Sequence, residues 1–213
     1  MELIHALGWS DSRLGCGGRM RVGVLALQGD VREHAAALSR LGVQPVPVRR
    51  PSELDDVAAM VIPGGESSTI DKLLRAFDLF QPLQERLRAG LPVLGSCAGM
   101  IVLAKDLVDG IEGQQSLGIL PITVRRNAFG RQVDSSETEV VWAPDGSVMH
   151  ATFIRAPWVE AWEPGVEVLA TTSGPDGTDH VVAVRHGVAL ATAFHPEISG
   201  DDRVHRLLVE SVG

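Results

Sequence analysis

Apolar positions along this chain follow two textures, which change near Gly118. From Met20 onward, short β-rich apolar runs alternate with stretches whose apolar residues recur every three or four positions. Arg21–Leu27, apolar from Val22, reads as a strand. Val31, Ala35, Leu38 and Leu41 then recur at helical spacing until Gly42. Val43–Val48 and Val57–Ile62 read as strands, Ser67–Phe77 and Gln81–Ala89 as helices. A buried strand follows at Leu91–Leu94, with an apolar helix over Ala98–Leu107 directly behind it. This alternation predicts βαβ units, a mainly parallel sheet and helices on both faces. After Gly118 the β-rich runs are short, at about 119–126, 137–142, 150–154, 166–171, 180–185 and 188–194, broken by Gly, Pro and Asp. They predict antiparallel strands and hairpins added to the parallel half. Asp201–Val212 closes as a helix with Val204, Leu207, Leu208 and Val212 on one face. The expected fold class is α/β: three layers, flavodoxin-like, with a mainly parallel central sheet flanked by helices and added antiparallel strands in the C-terminal half.

Residues 1–19 stand outside this pattern. Ser10–Arg19 is polar and Gly-rich, and a convincing strand starts only after Met20, which reads as the natural start. Residues 1–19 are expected to be an N-terminal extension, disordered or loosely attached. Residues 20–213 are expected to form a single domain, without repeat or linker.

The bulk numbers narrow the classes without naming one. A chain of 213 residues suffices for one domain with a sizeable core. Apolar content of 45% and charged content of 22% are ordinary for a globular protein. A net charge of −8 argues against a nucleic-acid footprint and against anionic membrane surfaces. The two cysteines, Cys16 in the Gly-rich tail and Cys97 in the core region, make a disulfide framework a poor reading and a reducing compartment the default. No Cys/His cluster has zinc-site spacing, no apolar run is long enough to span a membrane, and no signal peptide precedes Met20. A cytoplasmic location is expected.

The chemistry concentrates at the carboxyl ends of three expected strands, where open α/β sheets place their sites. Cys97 stands between the strand Leu91–Leu94 and the helix that follows, flanked as Gly95-Ser96-Cys97-Ala98-Gly99. Small neighbours let such a strand–nucleophile–helix elbow bend sharply, and the helix start favours a thiolate. The plain alternative is a small buried hydrophobe at a strand end. His195 and Glu197 lie in Phe194-His195-Pro196-Glu197 behind the last apolar run. Pro196 keeps His195 out of the α region, and residues two apart in an extended segment share a side, so Glu197 can orient the imidazole. Nucleophile, base and orienter are the three parts of covalent acyl transfer. His-Pro-Glu alone is a common surface turn; its pairing with the cysteine elbow is what gives it weight. The third segment is Pro63-Gly64-Gly65-Glu66-Ser67. Its glycines permit close approach of a ligand, Ser67 is the expected N-cap of the next helix, and a loop N–H with that of Ala98 can form an oxyanion hole. A plain glycine turn before a capped helix is the alternative, and no phosphate-loop pattern is present.

Together these segments resemble the class I, triad-type glutamine amidotransferases. More closely, the chain is similar to the glutaminase subunits of pyridoxal 5′-phosphate synthase. The resemblance rests on Leu27-Gln28-Gly29-Asp30-Val31-Arg32-Glu33-His34, the two glycine-flanked segments above, Arg126-Asn127-Ala128-Phe129-Gly130-Arg131-Gln132, Phe153-Ile154-Arg155-Ala156-Pro157 and Phe194-His195-Pro196-Glu197. They occur in family order from Met20 to the C-terminus. The resemblance implies that Cys97 attacks the side-chain amide of L-glutamine, that His195 takes the thiol proton and passes it to departing ammonia, and that Glu197 holds His195. It implies glutamine contacts from Gly65, Glu66, Ser67, Arg126, Ile154 and Arg155, and oxyanion N–H groups from Gly65 and Ala98. Taken alone, Arg126 and Arg155 would be solvated surface charges; recognition of the α-carboxylate is the sharper reading. The resemblance further implies no metal or bound cofactor, and a (β/α)8-barrel synthase subunit as partner in a hetero-oligomer. That subunit would receive the ammonia, face Gln28 and Gly29, and complete the oxyanion hole. Two other readings compete: a glutaminase serving a different acceptor pathway, and a redox-sensing or chaperone-like protein with a reactive elbow cysteine. A non-catalytic subunit is disfavoured because all three triad residues are present.

Overall fold

The computed structural model describes residues 18–126, 128, 136–173 and 177–212. The expected extension therefore lies, through residue 17, outside the described residues, as does most of the Arg126–Gln132 segment. Elements run β1 (Arg21–Leu25), α1 (Val31–Arg40), β2 (Gln44–Val48), β3 (Ala59–Ile62), α2 (Ser67–Ala76), α3 (Phe80–Arg88), β4 (Val93–Ser96) and α4 (Ala98–Leu103). They continue as β5 (Ala104–Val108), β6 (Leu120–Arg125), β7 (Ser136–Trp142), β8 (Ser147–Phe153), β9 (Trp158–Trp162), β10 (Glu167–Ser173), β11 (Asp179–His186), β12 (Ala189–Thr192) and α5 (Arg203–Glu210).

The main sheet runs β2-β1-β3-β4-β12-β11-β9-β6-β5, with β10 paired to β11; β7 and β8 form a separate hairpin. Strands are parallel from β2 through β12 and again between β5 and β6. Antiparallel pairing joins β12, β11, β9 and β6. The parallel strands are continuous apolar runs because both faces are covered: all of β3 and β4 is buried. The layers follow from β4 itself. Ser96 hydrogen-bonds His34 of α1, and a Cβ on its neighbour Gly95 would lie 2.6 Å from the Gly99 backbone of α4. Successive strand residues point to opposite faces, so α1 and α4 lie on opposite sides. α5 joins α1 through His205, and α2 packs on α4.

Three elements differ from the sequence reading. The apolar helix after Cys97 stops at Leu103 instead of Leu107. Leu117 and Ile119 donate their N–H groups to the carbonyls of Val102 and Leu103, so the last-turn acceptors serve the incoming chain and Ala104 turns extended to start β5. β9 was not anticipated; Trp158–Trp162 is bounded by Pro157 and Pro164, and its pairing with β6 and β11 makes the strand. The buried stripe of α1 is His34, Ala37 and Leu38, where the apolar pattern pointed to Ala35. A polar ring thus occupies a core position that periodicity assigns to an aliphatic one.

Gly99 is the tightest point of the helix packing. A Cβ there would overlap the carbonyl oxygen of Ile62 in β3. Overpacking against backbone costs about 3 kcal/mol, because backbone cannot rotate away. Gly99→Ala is expected to lower the unfolding free energy by that amount, read in urea as a lower midpoint at unchanged m-value, and to displace the Cys97 elbow.

Candidate active site

Cys97 sits between β4 and α4 with φ 47° and ψ −103°, a conformation that non-glycine residues rarely adopt. Two contacts hold it there. Its N–H donates to the Thr192 carbonyl of β12 at 2.8 Å, and the glycines on either side let α4 fold back over β4. The thiol is 6% exposed and opens onto a cavity of about 320 Å³.

β12 delivers the second group. Cys97 directly follows β4, His195 lies three residues beyond the end of β12, and Thr192 pairs with Ser96 in the parallel register. The His195 N–H donates to the Thr152 carbonyl of β8 at 3.1 Å. The expected extended His195–Glu197 segment is instead a turn, closed by the Ile198 N–H on the His195 carbonyl at 3.2 Å. Pro196 suits its second position. The result is the juxtaposition that was anticipated by another route: His195 Nδ1 donates to Glu197 Oε1 at 2.7 Å. Gly64 leaves room for the ring, since a Cβ there would overlap His195 Cε1.

A second carboxylate faces the same nitrogen, one that the sequence reading gave no role. Asp30 Oδ2 lies 3.4 Å from His195 Nδ1. Asp30 occupies the N-cap position of α1 yet makes no side-chain cap bond, because its carboxylate is turned to the imidazole. An N-cap aspartate is so ordinary that sequence offers no signal against it. Burial disfavours the His195 cation, but hydrogen bonds with Asp30, Cys97 and Glu197 outweigh it and raise the pKa to about 12. His195 is therefore an imidazolium at neutral pH, and it lines the same cavity as Cys97. Burial raises the Glu197 pKa, against the His195 contact that lowers it. The hydrogen bond to His195 lowers that of Asp30.

The other expected site residues line one cavity. Gln28, Asp30, Gly65, Glu66, Ser67 and Cys97 border it on one side; Ala98, Ile101, Arg126, Ile154, Arg155 and His195 complete it. Glu66, not Ser67, is the N-cap of α2: its side chain accepts from the Ser68 N–H at 3.3 Å. The Ser67 hydroxyl is buried and accepts from Gln114 Nε2 at 3.1 Å. Arg126 is 7% exposed and pairs with Glu66 at 3.0 Å, and its Nε has no partner. Arg126 lines the cavity, and a guanidinium there suits a carboxylate ligand. Arg155 is exposed and holds φ 45° at the rim. Gln28 Oε1 accepts from the Glu66 N–H at 2.9 Å, so it touches the glycine loop directly and Gly29 sits beside it. Ala98 opens α4, and its N–H belongs to the first turn, which has no acceptor within the helix.

Among the described residues, Asp30, His195 and Glu197 bring possible ligand atoms within 4.8 Å of one another. The imidazolium has no lone pair on Nδ1 and disfavours a cation there. No helix among them is long and apolar enough to cross a membrane.

A sequence profile of the SNO glutamine amidotransferase family matches residues 24–213. A pyridoxal 5′-phosphate synthase subunit PdxT from Acidothermus cellulolyticus is 59% identical over 195 residues, covering 91% of this chain and 94% of that protein. The subunit of the same name from Mycobacteroides abscessus is 60% identical over 191 residues, covering 90% and 96%. A crystal structure described as a glutamine amidotransferase superposes with TM-score 0.82 at 46% identity, covering 90% of this chain and 98% of that one.

The His195 charge has a defined pH signature. Its folded pKa lies above the ordinary 6.5, so its contribution to stability is complete below 6.5 and is lost only as pH rises through about 12. Ring nitrogen shifts of His195 are expected to show an imidazolium throughout the neutral range. Asp30→Asn removes one of the groups that raise the value, and the NMR titration of His195 should move down in that variant.

Proposed function

The chain belongs to the SNO glutamine amidotransferase family, and from that premise we propose how its residues carry out the hydrolysis of L-glutamine to L-glutamate and ammonia as the glutaminase subunit of a pyridoxal 5′-phosphate synthase. The observation that carries the residue assignment is the shared cavity: Cys97 and His195 both line it, and His195 is bound to Glu197 at 2.7 Å. His195 takes the thiol proton. Cys97 Sγ then adds to the carboxamide carbon of glutamine. Negative charge develops on the amide oxygen, where the N–H groups of Ala98 and Gly65 are the proposed donors; each is worth about 100- to 1000-fold in rate. As the C–N bond breaks, His195 gives its proton to the amine and ammonia leaves. The γ-glutamyl thioester remains. Water attacks it while His195 takes one of the water's protons, the C–S bond breaks, and glutamate departs with the thiolate restored. Glu197 keeps Nδ1 protonated and so fixes which nitrogen faces sulfur.

Arg126 is the proposed partner of the substrate α-carboxylate, with Arg155 at the rim and Glu66, Ser67 and Ile154 lining the remaining contacts. Glu66 holds the Arg126 guanidinium in place at 3.0 Å. The reading takes residues 20–213 as one glutaminase domain working in the cytoplasm beside a (β/α)8-barrel synthase subunit that consumes the ammonia. Gln28 and Gly29 lie where that partner would reach the glycine loop, because Gln28 accepts the Glu66 N–H.

Glutamate release from L-glutamine is expected to rise strongly when the barrel synthase subunit is added, and to vanish in Cys97→Ala. Arg126→Ala should raise KM for glutamine by about 10- to 100-fold, the loss of one charge-assisted carboxylate contact. Activity that needs Cys97 but ignores the barrel would sink the partner assignment and favour another acceptor. A Cys97-dependent protein that releases no glutamate in any mixture would be the reactive-thiol protein instead.

A further inference from the structure

Behind Glu197 lies a polar chain that the reaction does not use directly. His34 and His205 are wholly buried, and His34 Nδ1 is 2.8 Å from His205 Nε2. His34 Nε2 is 2.9 Å from Ser96 Oγ and 3.4 Å from Glu197 Oε2. That carboxylate oxygen is itself buried with no hydrogen bond. His205 Nδ1 is also buried and unpartnered.

Two proton arrangements are open to this chain. In one, His34 carries its proton on Nδ1 and donates to His205, whose own N–H must then sit on Nδ1. That leaves a buried N–H without an acceptor, and turns a bare His34 lone pair toward the carboxylate oxygen. In the other, His205 donates from Nε2 to His34 Nδ1, and His34 donates from Nε2 toward Ser96 and Glu197 Oε2. A lone pair on His205 is then left unmet, and Glu197 Oε2, which has no hydrogen bond, faces an N–H at 3.4 Å instead of a lone pair. A buried orphaned donor, with a lone pair turned on a carboxylate, costs more than an orphaned acceptor, so the second arrangement wins. Both rings are neutral: burial holds the pKa of each below its ordinary value.

We infer that His34, with its tautomer set by His205, is a positioning residue that donates to Glu197 Oε2 and keeps that buried carboxylate ionised and aimed at His195. Glu197 then faces a histidine N–H at each oxygen, His195 at 2.7 Å and His34 at 3.4 Å. The other charged groups around the chain do not supply this donor. Asp30 opposes the Glu197 charge, and Arg40 outside His205 is committed to Asp202 at 2.6 Å. Ser96 is the remaining polar side chain on the path, and it shares the same His34 nitrogen.

The inference rests on the glutaminase reading. The test is kcat and KM for glutamine against pH, with the barrel synthase subunit present, for the natural chain, His34→Leu and His34→Gln. Without the donor, the raised Glu197 value climbs further, so the acid limb of kcat should move to higher pH in His34→Leu. kcat at neutral pH should fall about 10- to 100-fold with KM little changed. The glutamine amide can donate from the same place, so His34→Gln should restore the limb. A His34→Leu protein with a lower Tm but an unmoved acid limb overturns the inference, as does a His34→Gln protein no better than His34→Leu. Should His34→Leu fail to fold, the comparison passes to His205→Leu and His205→Gln. The nitrogen-15 shifts of the natural chain decide independently: a protonated His34 Nδ1 overturns the inference without any variant. An inactive natural chain would instead count against the glutaminase reading.

Discussion

Parallel pairing between β4 and β12 is the constraint from which the site follows. Cys97 and His195 are far apart in sequence, yet each lies just beyond the end of one of these two strands, Cys97 by one residue and His195 by three. The register Thr192 opposite Ser96 sets the two strand ends level, and the Cys97 N–H on the Thr192 carbonyl extends the ladder by one further rung. That rung does more than pair strands. Cys97 has a backbone conformation that its own residue type disfavours, by about 1–3 kcal/mol. The bond to β12, and the glycine-on-carbonyl contact of α4 with β3, fix that conformation from both sides. Elbow strain and sheet register are therefore one structural fact: a slipped β12 would relax the elbow and misplace the imidazole together.

Burial then sets the electrostatics. His195 and Glu197 are each almost fully enclosed, and an enclosed charge is tolerated only when its hydrogen-bonding capacity is met. The site meets part of it by stacking groups inward from the cavity: thiol, imidazole, carboxylate, then two further histidines, with Glu197 Oε2 left without a hydrogen bond. Asp30 adds a carboxylate from the solvent side of the same imidazole. Asp30 is partly exposed and meets water at the mouth, while Glu197 is enclosed in the floor. The two carboxylates thus act on one nitrogen at different depths.

Much of this was legible in the sequence because the motifs sit at strand ends that apolar runs reveal. The βαβ order, the elbow at Cys97 and the grouping of His195 with Glu197 were all readable from short windows. What was not legible depended on partners far along the chain. The end of α4 at Leu103 is decided by Leu117 and Ile119 taking its carbonyls, and no window around residue 103 contains them. β9 exists through its neighbours in the sheet. Ser67 was the natural N-cap by residue type, yet Glu66 takes the place while Ser67 turns inward to Gln114. His34 and Asp30 were hidden in plain composition, one as a polar break in an amphipathic helix, the other as an ordinary helix start.

The first turn of α1 brings these threads to one place. Within five residues Asp30 reaches His195 from the cavity side, and His34 reaches Glu197 from the core side. Two residues before Asp30, Gln28 holds the Glu66 N–H of the glycine loop, and Glu66 in turn holds Arg126. A displacement of the β1–α1 junction therefore acts on the imidazole, its carboxylate and the carboxylate-binding cation at once. None of these groups is covalently near another apart from Gln28, Asp30 and His34. The junction is exposed at Gly29, so a surface contact made there has a direct mechanical route to each part of the proposed reaction. One short segment, Gln28 to His34, thus contains an exposed residue and reaches both sides of the site floor.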